Sequence, residues 1–169
     1  SLFEIMFASD DNEATHIIAF TGNPDAMNAM YSAGQNDQWQ VMMSTFDQLT
    51  ESKGSAAGRS IHTFNVEAEG PIHHILQLNV KEPEKYAPAF KKMWTTVKPD
   101  NRLTLGQFVS GRADGVSHYI LVSNDDFKDL VTQRDWNAKE RAAWQSYRKE
   151  RGDMEIVSTM TRGLVKQWK

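Results

Sequence analysis

The chain has 169 residues, of which 40% are apolar and 24% are charged, a composition typical of a globular protein with one large or two small cores. It contains no cysteine, which excludes disulfides, thiolate metal sites and a cysteine nucleophile. No window approaches the ~18 apolar residues of a membrane span, so no integral membrane protein is predicted.

The charge is divided unevenly along the chain. Residues 1–70 carry two basic and ten acidic side chains, whereas residues 71–169 carry 17 basic and 12 acidic ones. Opposite charges would draw the two halves together at short range. Because the basic residues of the second half are interleaved with acids, nucleic acid is not predicted as a partner.

The first part of the chain predicts a hairpin and a helix. Residues 2–8 and 15–21 are β-like runs, and the polar cluster at 9–13 separates them. Asn23 and Pro24 then provide a plausible helix cap and first helical position. A linker-like stretch follows at 51–60, and a strand is predicted at 61–66.

The rest of the chain predicts a longer series of elements. Residues 72–80 form a clear strand pattern, and 82–97 carry one apolar helical stripe, with Pro88 expected to loosen or kink the start of that helix. A second hairpin is predicted from strands at 104–110 and 116–123, joined by a turn at 111–115 with an Asp-Gly pair. A helix and a final strand at 156–168 complete the series.

The two hairpins resemble each other. When they are aligned, His16 falls on His118, Ile18 on Ile120 and Thr15 on Ser117, an offset of 102 residues. The sequence therefore predicts an α+β protein of two tandem ferredoxin-like modules, residues 1–69 and 71–169, that pack antiparallel sheets into an intrachain barrel. The second module has the order strand, helix, strand, strand, helix, strand. The first lacks the opening strand and helix, so we expect roughly 30 residues upstream, the length of such a unit, or a partner that supplies the strand.

A short motif adds a family resemblance. Val80-Lys81-Glu82-Pro83-Glu84-Lys85-Tyr86, where a strand joins a helix, resembles the V-x-[D/E]-P-x-x-Y of dimeric α+β barrel proteins, which include antibiotic-biosynthesis-monooxygenase-like and EthD-like domains. The resemblance implies that two ferredoxin-like modules pack their sheets face to face as a barrel. It also implies small-molecule pockets inside the barrel or between sheet and helices. Some members oxidise aromatic substrates without a cofactor, some degrade haem, and others isomerise lactones, so the fold alone does not select an activity.

Histidines are the obvious candidates for chemistry. By strand alternation His16 shares a face with Ile18 and Phe20, and His118 shares one with Ile120. Both rings are therefore expected in apolar surroundings, where a neutral imidazole can serve as a base or a ligand. The competing interpretation is a hydrogen-bonded structural histidine present in both copies.

A second set of candidates is predicted to bind a ligand. His73, Gln77 and Asn79 share one face of a strand and form a polar strip that could line a pocket or a hydrated sheet face. Trp94 and Trp144 could line an aromatic site, although at helical spacing they also suit a core. No metal-binding spacing, P-loop or dinucleotide fingerprint occurs, so neither a metal nor a cofactor is predicted.

These observations lead to three functional hypotheses. The first is a small-molecule-binding protein of the dimeric α+β barrel type. The second is a cofactor-independent oxygenase or isomerase that uses His16 or His118 as base, and the third is a structural or assembly protein without a ligand. The partners considered are a small molecule and a second copy of the chain, and both a cytoplasmic and a periplasmic location stay open.

Overall fold

A computed structural model describes residues 1–9, 12–32, 36–112 and 115–168. The chain forms seven strands and five helices within these residues. The strands are β1 (Leu2–Ala8), β2 (His16–Ile18), β3 (Ala57–Phe64), β4 (Ile72–Val80), β5 (Leu103–Ser110), β6 (His118–Asn124) and β7 (Met154–Lys166). The helices are α1 (Pro24–Ser32), α2 (Asp37–Leu49), α3 (Pro83–Val97), α4 (Phe127–Val131) and α5 (Ala138–Glu150).

All seven strands join one antiparallel sheet in the order β2-β1-β7-β4-β6-β5-β3. Strands from the two halves of the sequence meet edge to edge, β1 against β7 and β3 against β5. The expectation of two sheets packed face to face is therefore wrong. The strands satisfy each other's backbone hydrogen bonds across the boundary and form one continuous sheet.

The core lies between the sheet and the helix pair α3 and α5. Leu78 and Leu105 project from the sheet and are fully buried against Tyr86 and Phe90 of α3. We call the face of the sheet that packs on α3 and α5 the outer face. Because side chains alternate along a strand, the even-numbered residues of β4 lie on this outer face and the odd-numbered ones lie on the opposite face. We call that opposite face, marked by His73 and Ile75, the inner face.

The local sequence explains where the helices begin and end. Asn137 caps α5 by accepting a hydrogen bond from the Glu140 backbone, and the Glu140 side chain accepts from the Asn137 backbone in return, forming a capping box. Pro83 occupies the first turn of α3, where a missing N–H is tolerated. That helix continues through Pro88 to Val97, so Pro88 does not end it.

Several predicted boundaries shift. The linker predicted at 51–60 is shorter, since its last four residues already belong to β3, and β2 is a three-residue strand rather than a seven-residue one. The hairpin turns lie partly outside the described residues: 10 and 11 in the first, 113 and 114 in the second. Gly111 and Gly115 flank the second turn with φ of 77° each, the left-handed conformation that glycine adopts readily.

Candidate functional site

Three cross-strand neighbours form a row of polar side chains on the inner face. His73 of β4 is directly opposite Ser123 of β6 on one side and Arg162 of β7 on the other. Residues directly opposite in an antiparallel pair project from the same face of the sheet. Sequence positions up to 89 residues apart are thereby brought side by side in the middle of the sheet.

Hydrogen bonds fix the protonation of His73. Its ring is 6% exposed, and its Nε2 lies 3.2 Å from the Gly70 carbonyl oxygen. A carbonyl only accepts, so Nε2 must carry the proton, and Nδ1 then accepts from Arg162 Nη2 at 3.3 Å. Burial, with the charge of Arg162 as a further cause, lowers the pKa of His73 to about 4, so the ring is neutral at pH 7.

Arg162 is a half-buried, largely desolvated cation that pairs with no carboxylate of the described residues. Within the described residues it takes part in none of the ion pairs, and its buried Nε has no hydrogen-bond partner. Its Cζ lies 3.9 Å from the centre of the Phe3 ring, which itself is 4.9 Å from the His73 ring. Burial lowers the pKa of the guanidinium to about 10, which still leaves it charged at pH 7.

A second orphaned polar atom lies at the other end of the row. The Oγ of Ser123 is buried without a hydrogen-bond partner in the described structure, and the residue is 1% exposed. Buried polar groups are rarely left unpaired, because each costs about 1–3 kcal/mol. Two such atoms, Ser123 Oγ and Arg162 Nε, flank the neutral histidine on the inner face.

Tyr119 and Ser60 extend the polar region along the sheet. Tyr119 is opposite Gln77 on the inner face, and the Ser60 side chain hydrogen-bonds to it. Burial raises the pKa of the Tyr119 hydroxyl, with the charge of Arg162 acting against the rise. Gly106 lies beneath the Tyr119 ring, where a Cβ atom would collide with it.

The structure separates the residues predicted to bind a ligand. His73, Gln77 and Asn79 share the inner face, Gln77 and Asn79 half-buried. Trp94 lies in the helix layer and lines an open groove of about 600 Å³ with Phe64 and Lys98 among others.

Trp144 lies on α5, where the centre of its ring is 5.5 Å from that of Trp136 and 5.3 Å from that of Tyr147. The polar strip and the two tryptophans are therefore on opposite sides of the sheet and do not form one pocket.

The two candidate catalytic histidines have different surroundings. His118 is 3% exposed, on the outer face with its ring 6.4 Å from Tyr86, and burial lowers its pKa. His16 is exposed on the edge strand β2, so the expectation that it is surrounded by apolar residues is wrong. Each Nδ1 lies within hydrogen-bond distance of the hydroxyl of the preceding residue: His16 Nδ1 is 3.0 Å from Thr15 Oγ1, and His118 Nδ1 is 2.9 Å from Ser117 Oγ. A catalytic role for either stays a prediction.

Sequence reasoning found His73 but missed Arg162 and Ser123. Nothing local marks them, because neither belongs to a motif or a spacing typical of a binding site. In the described residues no group of three His, Asp or Glu side chains is arranged to hold a metal ion, and no helix is long and apolar enough to cross a membrane.

Comparison with known proteins gives little further information. No protein-family model matches the chain, and no curated protein matches it. Among solved structures it is similar to one described as a crystal structure study of an anthrone oxidase-like protein, at 13% sequence identity and a TM-score of 0.46, over 82% of this chain and 67% of that chain. A likeness at this level carries no argument about function.

Proposed function

We propose that this chain is a small-molecule-binding protein of the α+β barrel type, and that its ligand is a small organic anion held by Arg162 on the inner face. The observation that carries the proposal is a largely desolvated guanidinium, on a half-buried residue, with no carboxylate partner in the described structure. A desolvated charge is costly unless an opposite charge meets it. An anionic ligand would supply that charge.

The surroundings narrow the chemistry of the ligand. Arginine presents a planar fork that suits a carboxylate or a similar planar oxyanion. His73 holds that fork through Nδ1, so His73 acts as a positioning residue and its Nδ1 is not free to serve as a base. Phe3, Ile75 and Met160, all under 9% exposed, provide apolar contacts beside the row. An aromatic or otherwise apolar carboxylate fits this combination better than a small inorganic ion.

We also infer that the sheet is built from the two tandem modules of residues 1–69 and 71–169. The second half has the strand order β7-β4-β6-β5, which is that of a ferredoxin-like module. The hairpins are similar in register but differ by one residue: Glu4 is opposite His16, and its counterpart at the 102-residue offset is Gly106, whereas Gln107 is the residue opposite His118. The helices agree too, because Asn36 caps α2 as Asn137 caps α5.

A titration tests the ligand class. Benzoate is the probe, benzamide is its neutral counterpart, and binding is measured by calorimetry in chloride-free buffer. Because charge-assisted hydrogen bonds contribute about 1.5–3 kcal/mol, Arg162→Gln should weaken benzoate binding roughly 10- to 100-fold. Benzamide should bind at least tenfold more weakly than benzoate.

The matched control is Arg148→Gln, which removes an exposed arginine of α5 and should leave the affinity unchanged. Equal binding of benzoate to the Arg162→Gln variant and the unmodified chain would show that the guanidinium is not the anchor. No binding of benzoate by the unmodified chain at tens of millimolar would exclude this ligand class.

A further inference from the structure

The polar row on the inner face continues onto one more strand. Arg102 directly precedes β5, whose first residue, Leu103, is buried in the core on the outer face, so alternation places Arg102 on the inner face. The Arg102 carbonyl accepts a hydrogen bond from the Ser123 N–H at 2.9 Å, which sets the two residues side by side. Across β7, β4, β6 and the start of β5, the extended row therefore consists of Arg162, His73, Ser123 and Arg102.

Buried polar atoms without a partner are concentrated in this extended row. Within the described residues four buried side-chain atoms have no hydrogen-bond partner, and three of them are Arg162 Nε, Ser123 Oγ and Arg102 Nε. The fourth, the Tyr86 hydroxyl, lies in the core on the outer face. An arginine Nε–H only donates, and a serine hydroxyl donates as well as accepts. The extended row thus offers unused donors at both of its ends.

Arg102 is held only weakly by a carboxylate of the protein itself. Its Nη1 lies 2.8 Å from a carboxylate oxygen of Glu69, whose side chain is 53% exposed. Ion pairs exposed in this way are screened by water and contribute little. The guanidinium has several further donors, and its buried Nε has no partner in the described structure. Arg102 is therefore equipped to bind a second carboxylate.

We propose that Arg102 is a second anion anchor and that the ligand of the inner face is a dicarboxylate, held by Arg162 at one end and by Arg102 at the other. This inference rests on the anion site at Arg162 proposed above and names the class of ligand more closely. The second carboxylate supplies the acceptor that the Arg102 Nε lacks, as the first does for the Arg162 Nε. A dicarboxylate also uses the planar fork that each arginine presents.

The spacing of the two arginines sets the length of the ligand. Three strand spacings separate them, which places their Cα atoms roughly 14 Å apart. Side chains stand nearly perpendicular to a sheet, and the Arg162 Nη2 is 3.3 Å from the His73 ring on the neighbouring strand, as parallel side chains would be. A molecule with carboxylates at opposite ends of one aromatic ring is long enough to bridge two such guanidinium groups.

The test compares two ligands that differ at one end only. Terephthalate is the probe, and 4-carbamoylbenzoate, in which an amide replaces the second carboxylate, is its matched counterpart. Calorimetry in chloride-free buffer should show terephthalate binding roughly tenfold more tightly than 4-carbamoylbenzoate or benzoate, because a charge-assisted hydrogen bond is stronger than a neutral one. Arg102→Gln should lower the terephthalate affinity to that of benzoate, and benzoate binding by this variant shows that it is folded. Arg148→Gln, on the exposed side of α5, should keep the preference for terephthalate.

Glu69→Gln tests the second anchor in the opposite direction. This change frees the Nη1 of Arg102 and removes a negative charge from the place where the second carboxylate binds. Terephthalate should then bind a few-fold more tightly, and its preference over 4-carbamoylbenzoate should increase. A purely structural role of Arg102 predicts the reverse, because loss of its ion pair would loosen the site and weaken both ligands alike.

The outcomes separate this proposal from the one on which it rests. If benzoate binds through Arg162 but terephthalate binds no more tightly, the second anchor is overturned and the anion site at Arg162 stands. A preference for terephthalate that survives Arg102→Gln overturns the second anchor as well. Binding of neither ligand refutes both proposals. A preference that Arg102→Gln abolishes and Glu69→Gln increases establishes Arg102 as the second anchor.

Discussion

Replacing Arg162 by methionine should stabilise the protein when no anion is bound. The guanidinium is desolvated on the inner face and no carboxylate pairs with it in the described structure. Methionine has nearly the length of the arginine stem and carries no charge, so it can fill the space at the Phe3 ring without the cost of burying a cation. Replacing buried charges by apolar groups of similar size often stabilises proteins for this reason.

The size of the effect follows from opposing contributions. The pKa of Arg162 is about 10 instead of 12.5, which corresponds to about 3 kcal/mol of unfavourable desolvation at 1.36 kcal/mol per pKa unit. Losing the contact with Phe3 costs about 1 kcal/mol, and losing the hydrogen bond to His73 costs about another 1 kcal/mol. The unfolding free energy should therefore rise by about 1 kcal/mol, which raises the melting temperature by about 2–4 °C for a chain of this length.

Denaturant unfolding with and without benzoate measures this effect. At ten times its dissociation constant, benzoate should stabilise the unmodified chain by about 1.4 kcal/mol and leave Arg162→Met unchanged. Arg148→Met, on the exposed side of α5, should stay within 0.5 kcal/mol in both conditions. A loss of 1 kcal/mol or more in Arg162→Met without ligand would show that the guanidinium is a structural group, and the reasoning would be refuted.

Three further predictions concern the site and the core. The pKa of His73 is about 4 in the folded chain and 6.5 in its usual state, so the unfolded chain binds more protons between these values. The contribution of His73 to the unfolding free energy is therefore complete above pH 6.5 and decreases by about 3 kcal/mol as the pH falls to 4. In the His73→Gln variant, urea titrations across the same pH range should not show this decrease. Phe90→Ala, at a site 1% exposed, should cost about 3–5 kcal/mol, whereas Leu49→Ala, at 77% exposure, should cost under 0.5 kcal/mol in the same denaturant assay. Gly106→Ala should push the Tyr119 ring aside and weaken benzoate binding by calorimetry; unchanged affinity would separate Tyr119 from the site.

The sequence predicted the second half of the fold better than the first. The strand at 72–80 is confirmed at both ends, and the helix predicted at 82–97 begins one residue later. Their residues alternate or recur with a clear period because one face of each is buried in a core that the second half supplies itself. In the first half β2 is short and α1 and α2 have no buried residues, so the apolar periodicity there is not matched by burial in the described structure.

The site was predictable only in part. His73 could be placed on a polar strand face by alternation, and the structure places it on the inner face. The hydrogen bond between His73 and Arg162 could not be predicted from the sequence, because the register between β4 and β7 pairs residues that are 89 positions apart. The exposure of His16 was also beyond the sequence, since burial of a strand residue depends on which strand lies beside it.

The most direct test of the anion site observes Arg162 itself. The Nε–H resonance of Arg162 is identified by nitrogen NMR from its absence in Arg162→Met, and it is then followed during a benzoate titration. A saturable shift of this resonance is expected, with the same dissociation constant as in calorimetry, because the unpaired Nε gains an acceptor. A resonance that stays in place while benzoate saturates the protein would show that Arg162 does not hold the anion.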